Sequence, residues 1–257
     1  MAGMISKSKV LTAIGLVLVM VSGGVGWVTV KILTRPGPRQ EELARQEAER
    51  RAMSAEQKKM EEMKAKRDEL TEIVKTIPQF EPPRDEIVPP DRWAKYADIR
   101  YAIVTAMAEE RKTYPTPPFT LPQAFLLASR MTLVVEGTQM KKMIENRMTE
   151  DEYNWIDNKF YEAAVVALTR LEALTGDPKA RETVHSYAAF AAETLGLYDT
   201  NEKGRNIGRP DKFDQSTVPP QHVKYVMQYY KKLGSDQLWI NKLDWTPLLK
   251  AEGVTPM

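Results

Sequence analysis

The chain has no cysteine and only two histidines, His185 and His222. The first absence excludes disulfides, thiolate nucleophiles and cysteine-ligated zinc. It is compatible with an oxidising envelope compartment without requiring one. Neither histidine has a ligand-type residue three or four positions on, so the helical zinc-protease spacing HExxH does not occur. Charge of one sign is lacking too. There are 37 basic residues against 35 acidic ones, for a net charge of +2, so no global field draws the chain to nucleic acid. The phosphate loops GxxxxGK(S/T) and GxGxxG are missing, as is the nucleophile elbow GxSxG. Alternating strand patterns of useful length are absent, and so is any repeat at a period of roughly 34–40 residues. Nothing in this inventory implies a metal or a cofactor.

What the chain does have is a long apolar run near its start. From Val10 to Val30 no residue carries a charge, and Lys31 follows just before Ile32. About 20 predominantly apolar residues are what a helix needs to cross a hydrocarbon core of roughly 30 Å, and a helix satisfies its own backbone there. The run predicts a single N-terminal transmembrane helix over 10–32. A cleaved signal peptide is the rival, but its apolar region of about 7–15 residues would end in small residues. Here the run passes Ser22-Gly23-Gly24 and continues to Trp27, a residue suited to the headgroup interface. For orientation, Lys31, Arg35 and Arg39 favour a cytoplasmic C-terminal portion. The short acid-free stretch before the run reads instead as an export signal. We take the exported, periplasmic side.

Residues 38–77 are rich in Glu, Lys, Arg, Gln, Ala and Met, all good helix formers, and read as a charged helical stalk. Glu41–Arg45, Glu47–Arg51 and Glu62–Lys66 stand at the favourable i, i+4 spacing. A heptad frame places Met53, Met60, Arg67 and Val74 at a, with Glu56, Met63, Leu70 and Ile77 at d. Only its second half is apolar, so self-association would run through Met63, Leu70, Val74 and Ile77. Pro78, Pro82, Pro83, Pro89 and Pro90 break the helix and define a Pro-rich joint over 78–90.

From 91 onward the periodicity is helical, and the fold class expected is all-α. Asp91 can cap a helix carrying Trp93, Tyr96 and Ala97. Thr120 and Pro122 open another, and its run FLLASRMTLVV reads as the most buried helix because it is apolar nearly all round. Thr149 with Glu152 forms a capping box. Asp177-Pro178 restarts a helix directly after Gly176, which implies antiparallel neighbours. Residues 198–220 read as a loop.

For chemistry, His185 with Glu193 or Asp157 is the only pairing of interest, and it needs the fold to assemble it. Asp199-Thr-Asn201-Glu-Lys203-Gly204 opens like a calcium loop, but Lys203 and Pro210 stand where ligands belong. Arg205 and Arg209, beside glycines, suit a phosphate or carboxylate partner. Trp239 and Trp245 in the tail suit a partner surface, although docking on the chain's own domain is the favoured alternative for both. The composite expectation is a membrane-anchored, non-enzymatic interaction or assembly subunit. Its partners would be the bilayer, other membrane or envelope proteins, and a second copy through the stalk. The rival is an anchored helical enzyme or ligand-binding domain using His185, Asp157 or Arg205 in a pocket between helices.

Overall fold

The computed structural model describes residues 40–114, 120–233 and 240–257. The apolar run Val10–Ile32 and Trp239 lie outside the described residues. Among the described residues, no helix is long and apolar enough to cross a membrane. The fold there is all-α apart from one small hairpin. Its helices are α1 (Gln40–Val74), α2 (Pro90–Lys112), α3 (Leu121–Asn146), α4 (Glu150–Leu174), α5 (Pro178–Thr194), α6 (Pro220–Tyr229) and α7 (Thr246–Glu252). The hairpin strands are β1 (Tyr198–Thr200) and β2 (Asn206–Gly208).

The chain forms two compact units. One takes the described residues up to Thr71 with those of Ala106–Thr138, and the other takes Glu72–Thr105 with the described residues of Gln139–Met257. Within the first unit, charged pairs tie α1 to α3. Arg130 is buried and binds Glu110, Glu56 and the Thr113 hydroxyl at once. Arg67 donates to Glu136 at 2.7 Å. Glu56 and Arg67 are the two charged positions of the heptad frame, so both seam charges find partners within the same chain. Met60, Met63 and Leu70 on that frame are half-buried, whereas Met53 is exposed.

The second unit is built around α4. Ile156, Phe160, Ala163, Ala164, Val165, Val166, Ala167, Leu168 and Leu171 are wholly buried there, at roughly 1.5–3 kcal/mol for each large apolar side chain. This helix packs on α5, α6 and α7. The run at the start of α3 is therefore not the most buried helix: Leu121 and Phe125 are exposed. Apolar composition on all sides does not supply neighbours, and α4 has them.

The segment 78–90 is fastened to the second unit rather than spanning free between helices. Val74, Ile77 and Val88 belong to its core, and Phe80 lies 5.3 Å from the Trp155 ring. Glu86 stands at a positive φ of 54°, held by Lys159 at 2.8 Å.

Helix ends follow local chemistry. Thr149 accepts the Glu152 amide and Asp177 accepts the Ala180 amide. The Glu152 carboxylate, however, pairs with Arg92 instead of returning to the cap. A two-pronged charged pair outcompetes a single neutral hydrogen bond. A reciprocal box forms at Thr120–Gln123, where each side chain accepts the other residue's amide. After α5, Gly196 takes φ 79°. The Leu197 amide then reaches the Ala192 carbonyl and the Gly196 amide the Glu193 carbonyl, both at 2.9 Å, closing the helix in a Schellman turn. The expected loop after it contains the hairpin, because the Asn201 side chain accepts the Lys203 and Arg205 amides and turns the chain.

Candidate functional site

A polar cluster of the second unit lies where α2 meets α4. On α2, Tyr96 and Arg100 are four residues apart and share a face; on α4, Tyr153, Asp157, Phe160 and Tyr161 do the same. Asp157 accepts from the Tyr96 hydroxyl at 2.6 Å and from Arg100 Nη1 at 2.9 Å. The Arg100 side chain is 11% exposed and that of Asp157 27%. The guanidinium sits 5.3–6.0 Å from the Phe160, Tyr96 and Tyr161 ring centroids, a cation–π enclosure. Its Nη2 makes no hydrogen bond.

Burial pushes the Tyr96, Tyr153 and Tyr161 hydroxyls above the usual phenol range. Burial opposes the charge on Arg100, but Tyr96, Tyr161 and Asp157 together hold it protonated. These phenols are donors at neutral pH and supply no base. The cluster can lock two helices and hold a carboxylate in place.

Arg92 makes a second joint. It grips Glu152 with two nitrogens and donates to the Asn146 and Arg147 carbonyls at 3.4 and 3.2 Å. One side chain on α2 thus satisfies the end of α3 and the start of α4. A third joint is His222, wholly buried, whose Nε2 accepts the Val88 amide at 2.9 Å. The ring stacks on Trp93 at 5.6 Å. Burial, reinforced by the charge of Lys159 and opposed by Asp85, lowers its pKa to about 4. The neutral ring therefore carries its proton on Nδ1, which has no partner.

The residues singled out from sequence do not converge. His185 is exposed and contacts Glu172 at 3.2 Å, not Asp157 or Glu193. Asp157 and Glu172 lie on one helix, about 22 Å apart at about 1.5 Å per residue. Arg205 sits in the hairpin turn, its amide bound to Asn201. Arg209 is already neutralised. It holds Asp211 at 2.8 and 2.6 Å and also binds Asp199, which takes Lys212 at 2.5 Å.

Trp245 is buried in the second unit. It is 1% exposed, stacks on Tyr230 at 5.5 Å and donates to the Ile240 carbonyl at 2.6 Å, docked on its own domain. Of the stalk residues, Val74 is buried and Ile77 packs on the same core, leaving Met63 and Leu70 as the half-buried pair.

An open depression of about 350 Å³ is lined by Thr76, Ile77, Pro78 and Arg147, with one charged side chain. Among the described residues, no group of three His, Asp or Glu side chains could hold a metal ion.

Sequence reasoning passed over Arg100, Arg92, Arg130 and the buried state of His222. A signal existed for the first. Arg100 interrupts the apolar face of α2 and Asp157 that of α4, and a charge on a buried stripe requires an opposite one nearby. Arg92 stands near the start of α2 and His222 near the start of α6, where a polar side chain is ordinary and marks nothing in the sequence. No family model matches the chain, and no curated protein or solved structure is similar to it.

Proposed function

We propose that this chain is a membrane-anchored, non-enzymatic interaction or assembly subunit of a membrane or cell-envelope complex, with its helical part on the exported, periplasmic side. The observation that carries this reading is an order of parts. The apolar run Val10–Ile32 is followed shortly by a 35-residue charged helix, and that helix ends with Val74 buried in a helical core. At about 1.5 Å per residue the helix is about 50 Å long, the length of the charged stalk in this reading. Supporting the non-enzymatic part, His185, Asp157 and Arg205 belong to three separate contacts, whereas a shared inter-helix pocket would need them together.

The partners proposed are the lipid bilayer and other envelope proteins, with a second copy through Met63 and Leu70 as the homo-oligomeric variant. The test is fractionation followed by cross-linking and pull-down from native membranes. Retention after alkaline carbonate and a co-purifying protein are the expected results. A mature chain beginning downstream of Trp27, or a lone monomer in every preparation, would overturn the reading.

A further inference from the structure

We propose that the segment 78–89 is an acid-releasable strap, closed on the second unit through Glu86 and Val88 and set free when Glu86 and His222 take up protons. The strap and both its pins lie wholly within the second unit, so the device does not depend on the anchor.

The strap is lightly held. From Gln79 to Ile87 no side chain is fully buried, and only Val88 after them is. Two of its bonds serve its own turn: the Glu86 amide donates to the Pro83 carbonyl at 3.0 Å and the Ile87 amide to the Asp85 carboxylate at 3.1 Å. Two others cross to the body. Glu86 accepts Lys159 of α4 at 2.8 Å, and the Val88 amide donates to His222 Nε2 of α6 at 2.9 Å. A segment with so little apolar cover opens at low free energy.

Both pins work in one protonation state. The Val88 N–H needs an accepting ring nitrogen, and a protonated imidazole carries N–H on both, which sets donor against donor in the core. A protonated Glu86 loses its ion pair with Lys159. Glu86 also stands at φ 54°, in the left-handed region that few residues other than glycine adopt, so loss of the pair leaves that backbone unsupported. The charged groups facing His222 are Lys159 and Asp85; Lys159 is paired in turn with Glu86 and with Glu162 at 3.3 Å. From α2 and α6 the rings of Trp93 and Tyr225 face it, and burial keeps the Tyr225 phenol neutral.

While the strap is closed, burial and Lys159 hold His222 near 4, and the Lys159 bond holds the Glu86 carboxyl below its usual range. Opening hydrates the ring and returns it toward the usual 6.5. The open form therefore binds more protons, and falling pH favours it. From about pH 8 to about pH 5 the His222 proton alone should raise the opening constant about 30-fold.

The test is amide hydrogen exchange by NMR in full-length protein carrying isotope-labelled valine, in detergent micelles and corrected for intrinsic exchange at each pH. Val88 reports the strap; Val165 and Val166, wholly buried in α4, report the core. The expected opening constant at Val88 rises about 30-fold over this range and exceeds that of both core valines at each pH. It should also change little in sub-denaturing urea, because the strap exposes little surface. His222→Gln keeps an acceptor for the amide and should abolish the rise. Lys159→Met should raise the opening constant at both pH values and keep most of the rise.

Equal opening constants at Val88, Val165 and Val166 at the acid end assign the proton uptake to global unfolding and overturn the strap. A Val88 constant unmoved by pH, or a His222→Gln variant that keeps the rise, overturns it as well. An unchanged constant in Lys159→Met overturns the Glu86 pin. Should His222→Gln fail to fold, the comparison of valines in the wild-type chain decides alone.

Discussion

Arg100 and Asp157 put opposite charges on two otherwise apolar faces, and each is tolerable only because of the other. Removing one partner leaves a charge stranded against Tyr96, Phe160 and Tyr161. Arg100→Leu should destabilise the chain by about 2–3 kcal/mol in urea unfolding, less than the roughly 3–5 kcal/mol of a fully buried pair because Asp157 is partly solvated. Arg100→Leu with Asp157→Leu should recover most of that loss, since an apolar pair of similar volume is often neutral. A double variant as unstable as the single one would show that the tyrosine hydroxyls, and not the charges, hold the joint. His222 supplies a pH dependence. Its folded pKa of about 4 lies below the usual 6.5, so the native state favours the neutral ring. The stability this contributes is present above pH about 6.5 and lost as pH falls toward about 4, to an extent on the order of 2–3 kcal/mol. Protonation would turn Nε2 into a donor facing the Val88 N–H. His222→Gln, which can still accept that amide, should flatten the unfolding free energy across this window. Exposed carboxylates with lowered pKa, such as Asp199 and Asp214, act below it and are common to both proteins.

Among the elements, the hairpin depends on a single missing side chain. A Cβ on Gly208 would lie 1.7 Å from the Ala189 carbonyl oxygen, so β2 rests directly on the backbone of α5. Gly208→Ala should cost roughly 1–3 kcal/mol or more and lower the melting temperature. An unchanged value would mean that the hairpin lifts off α5 without consequence. No sequence pattern marked this contact, because a glycine in a loop reads the same whether it turns the chain or lets two backbones meet. Helix starts were readable for the opposite reason. Thr149 and Asp177 cap through amides three residues away, a distance that a sequence window contains. The limit appears at Glu152, where the window predicts a capping box and a guanidinium 60 residues upstream takes the carboxylate. The hydrophobic run of α3 failed likewise: periodicity reports which residues are apolar, and burial depends on which neighbours the fold supplies. For the arginine cluster between α2 and α4, the signal was present at both ends and needed only to be read as a pair.

At the scale of the molecule, the heptad frame shows what a pattern can and cannot say. It located the less exposed face of α1, with Glu56, Met60, Met63, Arg67 and Leu70 half-buried between exposed flanks. It could not say whether that face meets a second copy or the same chain, because a seam looks identical from one side. The charges on the frame decide the intrachain part, since Glu56 and Arg67 bind α3 residues. This composition also sets how firmly each unit is held. In the second unit a contiguous cluster of buried aromatics and aliphatics surrounds α4. In the first unit Leu127 and Met131 are buried, and ion pairs link α1 to α3. Local stability tracks buried apolar contact, and amides in regions with little of it open at lower free energy. Hydrogen exchange should therefore be faster over 56–70 and 121–136 than over 156–171. The Arg67–Glu136 pair is about a quarter to a third exposed, and at about 1 M salt the Debye length falls to about 3 Å, so salt should speed exchange in the first unit and leave α4 nearly unchanged. Arg130→Met should produce the larger effect, because it strands both Glu110 and Glu56 and removes the Thr113 bond in one step. Equal protection in both units at low salt would mean that apolar packing along Met60, Met63 and Leu70 holds the first unit, and that its ion pairs only set the register.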